Sequence, residues 1–313
     1  DAYGNPKVSS VKESDCYTPE NYDGRFRGPV SLREALAQSL NLPAVKVLYL
    51  TSLSSAIALS QKMGLSTIKD PSRYGLSLVL GGGEVTLLEL TNAYSVFANK
   101  GVYHKQQGIL EVRDSDGVVL EKASQDEEEV LSENVTSLIS SILSDDTARS
   151  PIFGAHSALY FNNRPVAVKT GTTNNYRDVW VVGYTPSVVV GMWGGNNDNS
   201  SIDKKAAGYV MAPIWHKAMV AAIGTSSVEY FPDSLPNTSS KPILRGSYCS
   251  SDGIHTILKS VIKDDPDGVY PSNPEEDSQY DLWETGIRDW LSKNNTNCGS
   301  VIQQKTQVSS STL

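Results

Sequence analysis

The sequence has few cysteines and histidines, and none of them forms a metal or redox motif. The chain of 313 residues contains three cysteines, Cys16, Cys249 and Cys298, and four histidines, all widely separated. Because neither C-x-x-C nor H-E-x-x-H spacing occurs, we expect no metal site and no cofactor. An odd number of cysteines is poor evidence for a disulfide framework, so their redox state and the compartment stay open.

Long apolar runs and an excess of positive charge are also lacking. No run approaches the roughly 20 apolar residues needed to cross a bilayer. No secretory signal follows Asp1, with which the sequence begins. Acidic residues number 35 against 27 basic ones, which gives a formal net charge of −8. This balance argues against nucleic acid as the partner, because phosphate binding needs a basic surface.

Composition divides the chain into four predicted parts. Residues 1–30, rich in turn-forming residues, predict an extended lead-in, and residues 31–223 carry the helix and strand patterns of one main domain. Residues 224–246 predict a linker. Residues 247–313 predict a small C-terminal segment with one helix, followed by a disordered tail. That helix is indicated by apolar residues at helical spacing: Trp283, Ile287, Trp290 and Leu291.

One stretch concentrates polar side chains at the end of a predicted strand. The apolar residues 165–168 lead into Lys169-Thr170-Gly171-Thr172-Thr173. Two further strand patterns follow, which predicts an antiparallel meander. An ammonium and several hydroxyls at a strand end favour anion binding, and Gly171 leaves room for a substrate backbone. We therefore predict a substrate-binding edge at residues 169–173.

A second polar corner lies at a predicted break between helices. Ser31 and Glu34 form a capping box that predicts the start of a helix. Pro43 disfavours helical geometry at the residue before it, so the helix must break and restart near Pro43. At this break Ser39 and Asn41 can project to one side.

The two corners together, Ser39-Leu40-Asn41 and Lys169-Thr170-Gly171-Thr172, resemble the penicillin-binding protein transpeptidase domain of class A bifunctional peptidoglycan synthases. The flanking stretches 17–24, 28–37 and 168–186 resemble it as well, and the match extends over residues 17–223. The resemblance implies an α+β, penicillin-recognising fold, as in serine β-lactamases and transpeptidases. In this fold an antiparallel sheet is flanked by helices.

The resemblance implies a serine-type D,D-transpeptidase. Such an acyltransferase cross-links D-Ala-D-Ala stem peptides of peptidoglycan, and β-lactams inhibit it covalently. It implies that Ser39 relays a proton to the leaving amine, that Asn41 holds the substrate amide, and that Lys169 sets the positive potential. It also implies that Thr170 and Thr172 bind the substrate carboxylate and that the Thr172 N–H forms half of the oxyanion hole.

The nucleophile of this family belongs to an S-x-x-K motif that opens a helix upstream of Ser39. Ser9-Ser10-Val11-Lys12 is a formal match, which requires Ser9 and Lys12 on one helical turn. The following residues lack apolar periodicity, and the separation of 39 − 9 = 30 residues is short for the family. We therefore predict that the match is accidental, that the chain begins after the true nucleophile, and that it is inactive as given.

The resemblance implies that the parent protein acts at the extracytoplasmic face of a bacterial membrane. An N-terminal anchor and a glycosyltransferase domain would precede the present chain. Two other functions stay open: a non-catalytic module that binds stem peptides or partners, and a serine β-lactamase-like hydrolase, which shares the motifs. The sequence leaves the organism, the oligomeric state and the role of the C-terminal segment undetermined.

Overall fold

The structure is a computed structural model that describes residues 17–124, 126–202, 207–294 and Cys298. The candidate motif Ser9 to Lys12 and Cys16 therefore lie outside the described residues. The helices there are α1 (Leu32–Ala37), α2 (Asn41–Thr51), α3 (Leu53–Lys62), α4 (Leu87–Ala98), α5 (Glu133–Leu143), α6 (Asp146–Phe153), α7 (Ala207–Val210), α8 (Ala212–Ile223) and α9 (Tyr280–Asn294). The strands are β1 (Val102–His104), β2 (Glu111–Arg113), β3 (Val119–Lys122), β4 (Glu127–Glu129), β5 (Ala167–Thr172), β6 (Asp178–Tyr184), β7 (Val189–Gly195), β8 (Cys249–Ser250) and β9 (Gly253–Ile254).

The chain divides into two compact units, each made of stretches that are separate in sequence. The first unit joins the described residues up to Ala35 to Leu40–Ser52 and to the chain from Pro236 onward. The second unit joins Leu36–Ser39 to Leu53–Leu235. The linker at residues 224–246 and the separate C-terminal segment stay predictions.

Apolar packing explains why α2 belongs with the C-terminal segment. Leu50 of α2 is buried in one cluster with Leu258, Val261 and Tyr280. The edge of the Tyr49 ring faces Trp283 of α9, with ring centroids 5.5 Å apart. Sequence periodicity reports only which face of a helix is apolar, so it could not identify a partner more than 200 residues away.

The second unit is built on the antiparallel sheet that the sequence predicts. Its strand order is β5-β6-β7, with Lys169 opposite Val182 and Val182 opposite Gly191. The turn between β6 and β7 is closed by a bond from the Thr185 N–H to the Val188 carbonyl, 2.9 Å. The predicted meander is therefore confirmed by the register of all three strands.

Both faces of this sheet are covered by apolar side chains from helices. On one face Val166 and Val168 pack with Trp215 and Met219 of α8. On the other face Ala167 and Tyr184 pack with Leu143 of α5, and Leu36 of α1 joins this cluster. Successive strand residues point to opposite faces, which is why Ala167 and Val168 enter different cores. The predicted α+β architecture, a sheet flanked by helices, is confirmed.

The predicted break between α1 and α2 is present, with a different restart. The capping box forms, since the Glu34 N–H donates to Ser31 Oγ at 3.2 Å and the Ser31 N–H donates to Glu34 Oε2 at 2.9 Å. Helix α2 begins at Asn41, two residues before Pro43. Pro43 is tolerated because the N–H groups of a first helical turn have no intrahelical partner.

Smaller elements complete the two units. In the second unit β1 pairs with β4, and β2 and β3 form the hairpin expected around Gly117, whose φ is 83°. In the first unit α9 contains the predicted Trp283 to Leu291 helix. No individual helix in the described part of the chain is both long and apolar enough to cross a membrane.

Candidate active site

Ser39 and Lys169 meet at one face of the sheet in the second unit. Leu36 anchors the end of α1 in the cluster that contains Ala167 and Tyr184. Lys169 lies two residues after Ala167 on β5, so its side chain points to the same face. Ser39 follows Leu36 in a tight turn, closed by a bond from the Ser39 N–H to the Leu36 carbonyl at 3.1 Å. Local packing therefore brings the two residues together.

The geometry of the pair fixes the direction of the hydrogen bond between them. Lys169 Nζ donates to Ser39 Oγ at 2.6 Å and to the Thr170 carbonyl at 2.8 Å. Burial lowers the pKa of Lys169 to about 8, so its ammonium can release a proton near neutral pH. Because Ser39 Oγ accepts from Lys169, its own proton is available to a further acceptor.

Backbone strain marks the Ser39 position. Its φ is 58°, in the left-handed region that a residue other than glycine enters at a cost. Such strain is concentrated at functional sites, where the surrounding structure holds it in place. Leu40, which follows, is extended and brings the chain into α2.

Strand β5 forms one edge of the three-stranded sheet in the described part of the chain. The Thr173 N–H donates to the Asp178 carbonyl at 3.0 Å, which makes this pair a hydrogen-bonded one. In an antiparallel ladder such pairs alternate with pairs whose backbone groups point away from the partner strand. The backbone groups of Thr170 and Thr172 therefore point to the open edge of the sheet.

Thr172 and Gly171 offer different features to a ligand at this edge: a free hydroxyl proton and open space. Thr172 Oγ1 accepts a hydrogen bond from the Ala207 N–H at 3.0 Å, so its hydroxyl proton can serve a ligand. At Gly171 an added Cβ would meet only Trp180 Cβ, at an ordinary 3.5 Å. Neither backbone conformation nor internal packing requires a glycine there. The absence of a side chain at Gly171 therefore leaves open space on this face of the strand.

Thr173 is held by Asp178, a residue for which the sequence pattern predicts no role. Thr173 Oγ1 donates to Asp178 Oδ2 at 3.0 Å, and the Asp178 N–H donates back to Thr173 Oγ1 at 2.8 Å. Asp178 Oδ1 accepts from Trp193 Nε1 at 2.9 Å. The Thr173 hydroxyl is therefore occupied within the hairpin. An Asp at the start of a strand, after a polar turn, is the signal that would have indicated this role.

Asn41 lies in the other compact unit. It is the first residue of α2, and its side-chain Nδ2 donates to the Glu20 carbonyl at 2.8 Å. The neighbouring Leu42 N–H donates to Asn21 Oδ1 at 3.2 Å. The start of α2 is thus tied to the preceding chain. The predicted role of Asn41 in holding a substrate amide stays a prediction.

S-x-x-K spacing also occurs at two places in the described residues where no helix carries it. Ser66 and Lys69 lie in a turn after α3, and Ser66 Oγ donates to Glu89. Ser260 ends a short 3₁₀ turn, and the ammonium of Lys263 lies over the ring of Tyr49 at 4.6 Å. Neither pair aligns a hydroxyl and an amine along one helical turn.

The chemistry available at the site is proton transfer and anion binding. Lys169 and Ser39 supply a titratable ammonium and a hydroxyl relay, and Thr172 supplies a hydroxyl donor at the open edge. Within residues 17–124, 126–202, 207–294 and Cys298, no group of three His, Cys, Asp or Glu side chains could hold a metal ion.

Comparison with solved structures identifies the fold. PonA1 from Mycobacterium tuberculosis, solved in complex with penicillin V, matches at a TM-score of 0.58 and 23% identity, over 69% of this chain and 62% of that one. Penicillin-binding protein 1A from Haemophilus influenzae matches at a TM-score of 0.59 and 22% identity, over 70% of this chain and 38% of that one. The chain therefore has the penicillin-recognising fold.

The family is identified from the sequence. Residues 6–220 match the model of the penicillin binding protein transpeptidase domain. The chain belongs to this family.

Curated relatives agree with this membership. Penicillin-binding protein 1A of Aquifex aeolicus is 38% identical over 220 residues, which are 69% of this chain and 28% of that protein. Penicillin-binding protein 4 of Bacillus subtilis is 31% identical over 211 residues, 67% of this chain and 33% of that protein. The chain thus spans about a third or less of the length of these relatives.

Proposed function

We propose that this chain supplies the substrate-binding part of a serine-type peptidoglycan D,D-transpeptidase. Its ligand is the D-Ala-D-Ala end of a stem peptide, and β-lactams bind the same site. The observation that carries the proposal is the 2.6 Å contact between Lys169 Nζ and Ser39 Oγ at the open edge of the sheet. The penicillin V complex of the structurally similar PonA1 supports it.

The proposed role of Ser39 is a proton relay during acyl transfer. When the tetrahedral intermediate collapses, the C–N bond breaks and the leaving amine takes the proton of Ser39 Oγ. Ser39 Oγ then takes a proton from the Lys169 ammonium, which becomes a neutral amine. A pKa of about 8 suits Lys169 to this exchange, because a proton donor works best when its pKa lies near the working pH.

The proposed binding mode is the addition of the stem peptide as a further strand. The outward backbone groups of Thr170 and Thr172 can pair with an extended peptide, as in other cases of strand addition. The Thr172 N–H at this edge would also hold a developing oxyanion. The Thr172 hydroxyl and the positive potential of Lys169 would hold the terminal carboxylate.

We further propose that the chain binds without acylating by itself. In the described residues, Ser66 and Ser260 each precede a lysine at S-x-x-K spacing without sharing a helical turn with it. Ser9 and Lys12 are followed by residues without apolar periodicity. A hydroxyl is a weak nucleophile until a neighbouring base activates it.

Localisation and domain context are part of the same proposal. The whole protein would act at the extracytoplasmic face of a bacterial membrane, held by an anchor. It would carry the glycosyltransferase domain of a bifunctional peptidoglycan synthase.

Labelling with a fluorescent penicillin tests the proposal. The expected result is reversible binding of the penicillin without a covalent adduct that survives denaturation. An adduct that peptide mapping assigns to Ser9 would instead make Ser9 to Lys12 the nucleophile motif. Absence of any binding, in a chain whose fold is verified by circular dichroism, would contradict the proposed ligand class.

A non-catalytic binding module is the second candidate, favoured by the absence of a helical S-x-x-K pair among the described residues. Titration calorimetry with an N-acylated D-Ala-D-Ala peptide measures its defining property, affinity that is lost in Lys169→Ala without turnover. Steady hydrolysis of a chromogenic cephalosporin would identify the β-lactamase-like alternative.

A further inference from the structure

Arg149, on α6, is a buried cation with incomplete hydrogen bonding. Its residue exposure is 4%, and its Nε and Nη1 atoms have no hydrogen-bond partner among the described residues. Asp146 Oδ1 lies 3.9 Å from Nε, beyond hydrogen-bond distance. A buried guanidinium is costly unless its N–H groups are satisfied, so this arrangement calls for a further partner.

One oxygen of each neighbouring carboxylate is bonded near the start of α6, whereas Asp146 Oδ1 has no hydrogen-bond partner among the described residues. Asp145 Oδ1 accepts from the Ala148 N–H at 2.9 Å, which caps the helix. Asp146 Oδ2 accepts from the His156 N–H at 3.1 Å. Burial lowers the pKa of Arg149 more than these two carboxylates raise it, so they compensate its charge incompletely.

Arg149 lines a cavity of about 310 Å³. A second arginine, Arg164, lines the same cavity, together with Tyr160, Asn162 and Asn163, and no lining residue is a carboxylate. Arg164 is held in place by a bond to the Ser226 carbonyl at 3.0 Å. Two cations and several neutral donors therefore surround a space of roughly ten water volumes.

We propose that this cavity is a binding site for a small oxyanion, a carboxylate or a phosphate group. A guanidinium presents its N–H groups in a planar fork that matches the oxygens of either group. Arg149 and Arg164, which both line the cavity, supply the two positive charges that hold the oxyanion.

The site is separate from the Lys169 edge but adjoins the same strand. Pro165 and Val166, which line the cavity, lead directly into β5 at Ala167. A bound oxyanion ties this lead-in to α6 and stabilises the folded chain, because a ligand that binds only the folded state raises its stability.

Thermal unfolding with added anions tests the site on the full chain. Sodium phosphate and sodium acetate are titrated separately against sodium chloride at matched ionic strength. We expect the unfolding midpoint to rise with at least one of the two anions beyond the effect of chloride. A higher midpoint with both anions indicates general oxyanion binding. A higher midpoint with only one of them identifies phosphate or carboxylate as the preferred ligand.

Three variants locate the effect. Arg149→Met is expected to abolish the anion-dependent rise, and Arg164→Gln to weaken the apparent affinity about tenfold, which corresponds to the loss of one charged contact. Arg113→Met, at an exposed arginine of β2 bonded to Glu111, is the matched control and keeps the full rise. If Arg149→Met fails to fold, Arg164→Gln alone decides the question.

Two results would overturn the proposal. One is a wild-type midpoint that responds to phosphate and acetate no more than to chloride. The other is an equal response in the wild type and in Arg164→Gln, which would assign the anion effect to another part of the surface.

Discussion

Lys169 Nζ donates a hydrogen bond to Ser39 Oγ at 2.6 Å, across 130 residues of sequence. The contact joins the turn after α1 to the open edge of the sheet, inside one compact unit. The same ammonium also donates to the Thr170 carbonyl, so two hydrogen bonds hold the Lys169 side chain in position. The Ser39 hydroxyl is thus a direct hydrogen-bond partner of the Lys169 ammonium, and its removal is expected to change the pKa of Lys169.

Removal of the Ser39 hydroxyl is expected to lower the pKa of Lys169 further. A hydrogen bond accepted from the ammonium stabilises the charged form, so its loss in Ser39→Ala should lower the value of about 8 by roughly one pH unit. NMR titration of the labelled lysine measures this. An unchanged pKa in the variant would mean that the contact does not control the lysine.

Ser39→Gly provides the matched control for backbone strain. Both variants lose the hydroxyl, but glycine adopts a φ of 58° without cost. We expect Ser39→Gly to be about 1 kcal/mol more stable than Ser39→Ala in urea unfolding. Equal stabilities would show that the turn carries no strain.

The pH dependence of stability is expected to reveal the buried lysine. Burial lowers the pKa of Lys169 from 10.5 to about 8. Between these values the unfolded chain binds more protons than the folded one, so the free energy of unfolding rises with pH from about 8 to about 10.5. The Lys169→Met variant lacks this contribution. The difference between its free energy of unfolding and that of the wild type should therefore become smaller as the pH rises from about 8 to about 10.5.

Lys46 is the control for this experiment, because burial also lowers its pKa to about 8. It lies in the first unit, with its ammonium 4.6 Å from the centre of the Trp283 ring. In the Lys46→Met variant, the free energy of unfolding should no longer include the rise with pH that is due to Lys46. It should keep the rise that is due to Lys169. Parallel stability curves for the wild type and Lys169→Met would contradict the expected shift.

Much of this fold follows from local pattern. The Ser31 and Glu34 capping box, the helix break near Ser39, the meander around Lys169 and the α9 helix were all predicted from residue types and spacing. Each depends on neighbours within a few residues, through periodicity, capping or turn preference.

The parts that could not be predicted depend on long-range contacts. The grouping of α2 with the C-terminal segment depends on Leu50 meeting Leu258, and no local signal encodes that contact. The role of Asp178 depends on Trp193 on the next strand. Arg149 appears in the sequence as an ordinary charged residue of a polar helix, and only packing shows that it is buried. The meeting of Ser39 and Lys169 was expected from family resemblance, because spacing alone does not fix it.

Gly171→Ala is expected to leave the fold intact and abolish ligand binding. The added methyl would meet only Trp180 Cβ at 3.5 Å, so the stability should change by no more than about 1 kcal/mol. The methyl would point to the sheet face that also carries Lys169, into the space that we propose for the ligand. Circular dichroism, urea unfolding and calorimetry with the N-acylated D-Ala-D-Ala peptide together separate the two effects.

Gly183→Ala on the adjacent strand is the control for this variant. There the methyl would lie 2.4 Å from the Trp215 ring and 2.8 Å from the Ala167 carbonyl oxygen. Overpacking of this kind costs about 1–3 kcal/mol. Peptide affinity retained by Gly171→Ala would remove this edge from the proposed site.

Asp178 is expected to order the hairpin that follows the candidate site. Asp178→Ala removes the acceptor of both Thr173 Oγ1 and Trp193 Nε1, and should destabilise the chain by about 1–3 kcal/mol. Asp178→Asn keeps one carbonyl oxygen and should recover part of this loss. Thr173→Val removes one contact, so its effect and that of Asp178→Ala should fall short of additivity in the double variant. Hydrogen exchange of the Thr173 amide and the fluorescence of Trp193 measure the local effect. If the stability losses of the two single variants add fully and amide exchange is unchanged in Asp178→Ala, the carboxylate does not hold this hairpin together.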